Sequence, residues 1–152
     1  MKKNQGFSLV ELIVVIAIMA VLVGVLAPAY LKYVEKSRKS SDVSSLSDIM
    51  GAAEKLAVDV QYGMAAGDTV VITVHGNVSY AVTIGGTSND TALTDFQDTA
   101  GTYTMKSSEF KVLNGTITAT VQKSGAVVFT QTGLDDILKY SADFKAKFST
   151  NS

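Results

Sequence analysis

The feature that most constrains the fold of this chain is an apolar run over residues 7–31, in which Glu11 is the only side chain charged at neutral pH. A helix needs about 20 apolar residues to cross a bilayer, so this run is long enough for a transmembrane helix. A lone carboxylate in hydrocarbon costs on the order of 3 kcal/mol or more, so Glu11 is expected to be functional and to need a partner. The shorter chain that follows cannot bury such a helix. We therefore expect it to contact lipid or other copies of itself.

A short basic leader precedes the apolar run. Lys2 and Lys3 are followed by Gly6, and residues 6–11 have the sequence Gly-Phe-Ser-Leu-Val-Glu. This arrangement resembles the processing site of type IV pilins and of their pseudopilin relatives. The resemblance covers roughly the first 30 residues, and the rest of the chain shows no family signature.

The resemblance implies a defined maturation. A membrane-embedded peptidase would cut after Gly6, and the new amino terminus at Phe7 would be N-methylated. Glu11 would neutralise the terminal amine of a neighbouring subunit as the subunits assemble into a helical filament. Physical chemistry supports this role independently, because pairing an amine with a carboxylate removes two unpaired charges from an apolar medium.

The same resemblance implies a set of partners. These are other copies of the chain, a prepilin peptidase/methyltransferase, the cytoplasmic membrane before assembly, and a membrane assembly platform. The sequence holds no Gly-rich phosphate loop, so an ATPase that drives assembly would have to be another protein. The bacterial precursor would cross the cytoplasmic membrane once and end as an extracellular filament. Twitching motility, adhesion, DNA uptake and aggregation all stay open as the task of that filament.

Other interpretations of the N-terminal run remain open. Residues 27–29 are Ala-Pro-Ala, which fits signal-peptidase cleavage after Ala29 and release of a secreted binding module or enzyme. The run is longer than the apolar core of a usual signal peptide, and Glu11 lies near its start. A plain membrane anchor would make Gly6 and Glu11 coincidences. Within the resembled family, the alternative is a pseudopilin of a type II secretion or DNA-uptake machine.

Composition narrows the function classes. The chain of 152 residues has no cysteine, which excludes disulfides and thiol chemistry. Its formal net charge is -1, and loss of residues 1–6 would leave 11 basic and 14 acidic side chains, a balance of -3. Binding to nucleic acid is therefore not indicated. His75 is the only histidine, which argues against a catalytic triad or a multi-histidine metal site. We predict a structural protein with no cofactor, not an enzyme.

The helix is predicted to run from Phe7 to about Gln61. Pro28 lacks an amide hydrogen and is expected to kink or locally melt the helix, a feature of possible use in filament packing. After a charged segment that begins at Lys32, apolar residues recur at three- and four-residue spacing on one helix face: Leu46, Ile49, Met50, Ala53, Leu56, Ala57 and Val60.

Strand patterns follow the helix. Alternating residues predict one hairpin over residues 69–84 with its turn at Gly76-Asn77, and a second that pairs residues 116–122 with 126–131. The spacing of the apolar residues in 132–148 predicts a short amphipathic C-terminal helix, and Thr132 and Asp135 have the spacing of a capping box at its start.

Residues 85–102 are rich in Gly, Thr, Ser and Asp and are predicted to form a long loop. Asp90, Asp95 and Asp98 in this loop are calcium candidates, because some pseudopilins bind calcium through a loop. Their spacing does not match an EF-hand, so a solvated acidic loop is the favoured interpretation and no metal is predicted.

These expectations define one architecture. The fold class is α+β, a long N-terminal helix packed on an antiparallel sheet, with a short C-terminal helix. Residues 1–6 are the cleaved leader, residues 7–31 the transmembrane or filament-core half of the helix, and residues 32–152 the globular domain with the amphipathic half of the helix.

Overall fold

The computed structural model describes residues 7–148. The chain divides between Ser37 and Arg38 into two compact units, which we call the N-terminal unit (7–37) and the globular unit (38–148). Helix α1 (Leu9–Ala57) contributes residues to both. Gly6, the predicted cleavage residue, lies outside the described residues.

The N-terminal unit consists of Phe7, Ser8 and the first part of α1. The predicted kink or melt at Pro28 does not interrupt the helix, since α1 is continuous through this residue. The absent amide hydrogen of Pro28 affects only the hydrogen bond to the carbonyl of Gly24, and the remaining backbone hydrogen bonds suffice to keep the helix.

Helix α1 ends at Ala57, short of the predicted end near Gln61. Asp59 accepts a hydrogen bond from the backbone amide of Gln61, in a turn that replaces the helix. Val60 was placed on the buried stripe and is 93% exposed, so that part of the prediction is wrong. The other predicted stripe residues, from Leu46 to Ala57, are buried.

The globular unit contains one antiparallel five-stranded sheet with the order β3-β2-β1-β4-β5. Its strands are β1 (Thr69–His75), β2 (Asn77–Ile84), β3 (Thr87–Ser88), β4 (Gly115–Val121) and β5 (Val127–Thr132). Both predicted hairpins are present, β1–β2 around Gly76 and β4–β5 around residues 122–126. Pairing of β1 with β4 joins the two hairpins through their first strands.

The core lies between one face of this sheet and the buried stripe of α1. Every second residue of β1 and β4 is buried, as the period of a strand requires: Val70, Ile72, Val74, Ile117, Ala119 and Val121. Except for Val121, these side chains form one cluster with Leu46, Met50 and Ala53 of α1. The α+β fold class is confirmed.

The predicted loop over residues 85–102 is wrong in its main part, because residues 90–100 form helix α2 (Asp90–Ala100). The Asn89 side chain caps its first turn by accepting from the amide of Ala92 at 2.9 Å. Ala92 and Phe96, one turn apart, are buried, and the Phe96 ring meets the Tyr80 ring edge-to-face at 5.0 Å. The composition of this segment is polar because only two residues of α2 are buried, so its sequence did not indicate a helix.

The C-terminal helix is split into α3 (Asp135–Tyr140) and α4 (Ala142–Ala146). The predicted capping box is wrong: no side chain caps α3 at its N-cap, Leu134, whose amide donates to Gln131 Oε1 at 3.0 Å. Ser141 instead caps α4 by accepting from the amide of Phe144. Of the apolar residues in this C-terminal segment, Leu134, Ile137 and Phe144 are buried, whereas Leu138 and Phe148 are partly buried against the core.

Candidate functional site

The N-terminal unit carries a large apolar surface that no described part of the chain covers. All residues from 7 to 33 are exposed, and the most apolar 18-residue window of α1 has none of its residues buried. By length and composition α1 is able to cross a membrane. Isolated exposed apolar residues are ordinary on a protein surface, but a contiguous surface of this kind indicates contact with lipid or with protein.

The carboxylate of Glu11 lies at the start of this surface. Glu11 Oε2 accepts a hydrogen bond from the backbone amide of Ser8 at 2.8 Å, and Ser8 Oγ accepts from the amide of Val10 at 3.4 Å. Ser8 immediately precedes α1, and its carbonyl accepts the first helical hydrogen bond, from Leu12. The two side chains therefore form a capping box that closes the amino-terminal end of the helix.

The capping box holds Glu11 where the partial positive charge of the helix N-terminus favours an anion. Only one of its carboxylate oxygens is used by Ser8. Among residues 7–148, Glu11 has no salt-bridge partner. The box therefore fixes the direction of the carboxylate through Oε2, and Oε1 accepts no hydrogen bond from the described residues.

The structure places the predicted site residues as follows. Phe7 is 95% exposed and adjoins Ser8 of the capping box, so its main chain is close to the Glu11 carboxylate in sequence and in the helix cap. Pro28 lies within α1, on the exposed apolar segment. Gly6 cannot be placed relative to them, because it lies outside the described residues.

Ser8 is the site residue that the sequence interpretation missed. The signal was present, because residues 8–11 read Ser-Leu-Val-Glu, the Ser-x-x-Glu spacing of a capping box ahead of an apolar run. Glu11 therefore combines a charge in an apolar run with a second role as a helix cap.

The three calcium candidates all lie on α2 and not on a loop. Asp95 and Asp98 line a cavity of about 380 Å³, together with Asp59, Lys55 and other residues, whereas Asp90 is in the first turn of α2 and does not line it. In the described part of the chain, no three carboxylates or imidazoles come together as a potential metal site.

The Asp95 carboxylate at this cavity accepts a hydrogen bond from the hydroxyl of Tyr62. This hydrogen bond raises the pKa of Tyr62 to about 12, with smaller contributions from desolvation and from the negative charges of Asp95 and Asp59. The interaction joins α2 to the turn after α1. It is a surface contact that orients two elements, and nothing in it indicates catalysis.

A second carboxylate of α1, Asp42, is fully buried in the globular unit. Asp42 Oδ1 accepts from the Tyr103 hydroxyl at 2.6 Å and from the Lys106 amide at 2.9 Å, and Oδ2 accepts from the Ser107 amide at 2.8 Å. Burial and the Asp42 hydrogen bond raise the pKa of Tyr103. Asp42 thereby fixes the segment 103–107 to α1.

Comparison with known proteins agrees with the N-terminal geometry. Residues 1–27 match the family model described as the prokaryotic N-terminal methylation motif. The chain is 34% identical over 117 residues to fimbrial protein Q of Moraxella bovis, which covers 66% of this chain and 71% of that protein. No solved structure matches the chain.

Two further relatives cover shorter stretches. Prepilin peptidase-dependent protein A of Clostridium perfringens is 34% identical over 97 residues, which cover 63% of this chain and 66% of that protein. The type IV major alpha-pilin of Moraxella bovis is 36% identical over 92 residues, 60% of this chain and only 53% of that protein.

An exposed apolar helix that starts with a methylation-type motif and continues into an α+β globular unit defines a class, the pilin-like subunits. Within this class, the match to fimbrial protein Q extends well beyond the motif and into the globular unit. The chain belongs to the type IV pilin family.

Proposed function

We propose that this protein is the repeating subunit of a type IV pilus. It is inserted in the cytoplasmic membrane as a precursor, cut after Gly6, N-methylated at Phe7, and polymerised through the apolar half of α1 into an extracellular filament. Residues 7–31 form the filament core and residues 32–152 the globular domain. The chain has a structural role, and the peptidase/methyltransferase, the assembly platform and the ATPase are separate proteins.

The observation that carries this proposal is the uncovered apolar surface of α1 with one oriented carboxylate at its start. Burial of this surface against lipid, and then against the helices of other copies, removes it from water in both states of the subunit. The capping box directs Glu11, and cleavage after Gly6 would create a positive amine at Phe7. A neighbouring amine could then neutralise the carboxylate in the filament core.

Variants of Glu11 and Ser8 test this mechanism, because they separate charge from capping. Glu11→Gln keeps a side chain that can cap the helix but removes the charge, so the precursor should be cut normally while filaments are lost. An unmatched buried charge at every subunit, worth about 3–5 kcal/mol, is expected to stop elongation. Ser8→Ala is the matched control: it keeps the charge, weakens the cap by about 0.5–2 kcal/mol, and should still assemble.

The measurements are an immunoblot for the cut form and a count of sheared filaments by electron microscopy. Normal filament numbers from cut Glu11→Gln subunits would disprove the charge pairing. Loss of filaments in both Glu11→Gln and Ser8→Ala would assign the defect to the helix cap and not to the charge.

The cleavage site needs its own test. Gly6→Leu should leave an uncut precursor in the membrane and no filaments, because a peptidase pocket selective for glycine has no room for a side chain. Trimming of Gly6→Leu to Phe7 at the normal rate would refute this assignment. An intact-mass measurement of the native protein should show a methylated amino terminus at Phe7.

The same mass measurement addresses the alternative of secretion, which requires a new amino terminus at Tyr30. Continuity of α1 through residues 27–29 disfavours that cleavage, because the segment is helical and not extended. A pseudopilin of a secretion or DNA-uptake machine would share the Phe7 terminus. Long surface filaments that disappear on deletion of this chain would favour the pilus subunit over the pseudopilin.

A further inference from the structure

A basic cleft lies in the globular unit, separate from the amino-terminal capping box. Its volume is about 510 Å³, and its lining residues are Arg38 of α1, Thr104, Met105 and Lys106 of the segment after α2, and Lys111 of the short 3-10 helix (Phe110–Val112). Three of the five lining residues are cationic and none is a carboxylate. The cleft therefore concentrates positive charge in a described chain whose balance is negative.

The backbone that carries these cations is held by buried groups. The Asp42 carboxylate accepts from the amides of Lys106 and Ser107, as described above. Ser107 is itself buried, and its hydroxyl accepts from the amide of Phe110 at 3.2 Å, which fixes the start of the 3-10 helix next to Lys111. The positions of Lys106 and Lys111 are thus set by the core and not by the mobility of a surface loop.

The lining groups are suited to a phosphate-type anion. Lys106 Nζ lies 2.9 Å from Ser41 Oγ and 5.7 Å from the centre of the Tyr103 ring, and neither of these partners is an anion at neutral pH. The Asp42 carboxylate is buried and faces the backbone amides of this segment, and Glu109, which forms an ion pair with Lys39 at 2.5 Å, does not line the cleft. An arginine fork beside lysine ammonium groups is the usual donor set for phosphate oxygens.

The position of the cleft in the chain indicates where such an anion comes from. Arg38 follows the end of the apolar run by seven residues. Residues 31–38 belong to helix α1, in which seven residues advance about 10 Å, so a subunit with residues 7–31 in the bilayer has Arg38 about that far from the end of its apolar segment. Basic residues close to a membrane surface are attracted to anionic lipids within a Debye length.

We propose that the cleft lined by Arg38, Lys106 and Lys111 binds the phosphate of an anionic phospholipid headgroup while the subunit is in the membrane. The proposal rests on the membrane-inserted precursor of the proposed function. It adds a lipid preference to that state: the cleft holds the globular unit on an anionic membrane surface until the subunit enters the filament.

Lysine footprinting of the full-length chain in nanodiscs tests the lipid preference. Discs of phosphatidylcholine are compared with discs that also contain phosphatidylglycerol, and acetylation of each lysine is followed by mass spectrometry. Lys106 and Lys111 should react several-fold more slowly in the discs that contain phosphatidylglycerol. Lys123, in the exposed β4–β5 turn, is the internal control and should react equally in both.

A variant arm measures the phosphatidylglycerol retained by each chain after extraction in neutral detergent. The double variant Lys106→Gln/Lys111→Gln should retain less, by roughly fivefold for each lysine removed. Lys123→Gln should retain the wild-type amount. An unchanged melting temperature of the variants, measured by circular dichroism, would show that the substitutions alter the charge of the cleft and not the fold.

Three outcomes would overturn the proposal. Equal acetylation in both kinds of disc would exclude a lipid preference. Protection in phosphatidylcholine discs by inorganic phosphate alone would assign the cleft to a free oxyanion. Protection that appears only as more chains are loaded into each disc would assign it to a second copy. Filament counts are made separately, so normal filaments together with any of these outcomes would refute the lipid site and leave the proposed function intact.

Discussion

Two of the carboxylates on helix α1 have opposite environments, Glu11 in the N-terminal unit and Asp42 in the globular unit. Asp42 is completely buried and accepts three hydrogen bonds from its own chain. Glu11 lies on an exposed apolar helix and accepts one, from the amide of Ser8. The apolar residues around them differ in the same way, buried near Asp42 and exposed near Glu11.

This comparison distinguishes two ways in which one helix becomes stable. The part of α1 near Asp42 finds its apolar and polar partners within the chain, in the sheet and in residues 103–107. The part near Glu11 is equally well formed as a helix, but in the described chain its apolar surface is uncovered and its carboxylate is bound only by the amide of Ser8. The apolar surface and the carboxylate of this part of α1 therefore both indicate contact with another molecule.

The largest effect is expected from removing the apolar N-terminal half of α1, which no described part of the chain covers. Deletion of residues 1–31 should convert a membrane protein into a soluble monomer, because the buried stripe of α1 keeps its sheet. Analytical ultracentrifugation and thermal unfolding by circular dichroism measure this. Deletion of residues 1–45 is the control: it also removes Asp42 and should abolish cooperative unfolding. An insoluble 32–152 fragment would contradict the division of the helix.

Asp42→Ala should give the next largest effect. It leaves the buried amide of Ser107, the partly buried amide of Lys106 and the hydroxyl of Tyr103 without their acceptor, which should lower the free energy of unfolding by roughly 3–5 kcal/mol. Denaturant unfolding checks this. Asp48→Ala, at an exposed position of the same helix, should change the stability by less than about 0.5 kcal/mol. Equal effects of the two substitutions would show that Asp42 is not the internal anchor.

Two glycines of the globular unit, Gly115 and Gly51, differ in how closely other atoms pack around the position that a Cβ would occupy. A Cβ on Gly115 would lie 2.4 Å from the carbonyl oxygen of Thr132 and 2.6 Å from Leu134 Cδ2, so Gly115→Ala should destabilise by about 1–3 kcal/mol. Gly51 in α1 has nothing within 4 Å, and Gly51→Ala should stabilise by up to about 1 kcal/mol through helix propensity. Melting temperatures that shift in the same direction would contradict this packing.

The smallest effect concerns Asp95, an exposed carboxylate with a single side-chain donor. Because the folded pKa of Tyr62 is about 12 and its usual value is about 10, the Tyr62–Asp95 hydrogen bond stabilises the fold below pH 10 and is lost as the pH rises through 12. Absorbance titration of tyrosinate should show a step near pH 12 that is absent in Tyr62→Phe, whereas Tyr80 and Tyr103, whose pKa values burial also raises, should titrate in both proteins. Thermal unfolding of Tyr62→Phe should approach that of wild type at high pH. A tyrosinate titration that Tyr62→Phe leaves unchanged near pH 12 would contradict the assignment to Tyr62.

Local patterns in the sequence determined much of the fold. The apolar run, the buried stripe from Leu46 to Ala57, and the two hairpins were all predicted, because each depends on the period of a helix or strand and on residues close together in the chain. The environment of Glu11 was predicted for the same reason. Its capping box with Ser8 was predictable too, since it needs only the spacing of four consecutive residues.

Tertiary structure alone decided what depends on residues far apart in sequence. Asp42 resembles any other acidic residue of the helix until residues 103–107 bring it three donors from more than 60 positions away. Helix α2 has a polar composition, and its burial depends on the contact of Phe96 with Tyr80 of strand β2, which the local sequence does not indicate. The basic cleft likewise combines Arg38 with Lys106 and Lys111, which local patterns cannot connect. Periodicity reports which face of an element is apolar, whereas the partner of a charge is set by long-range packing.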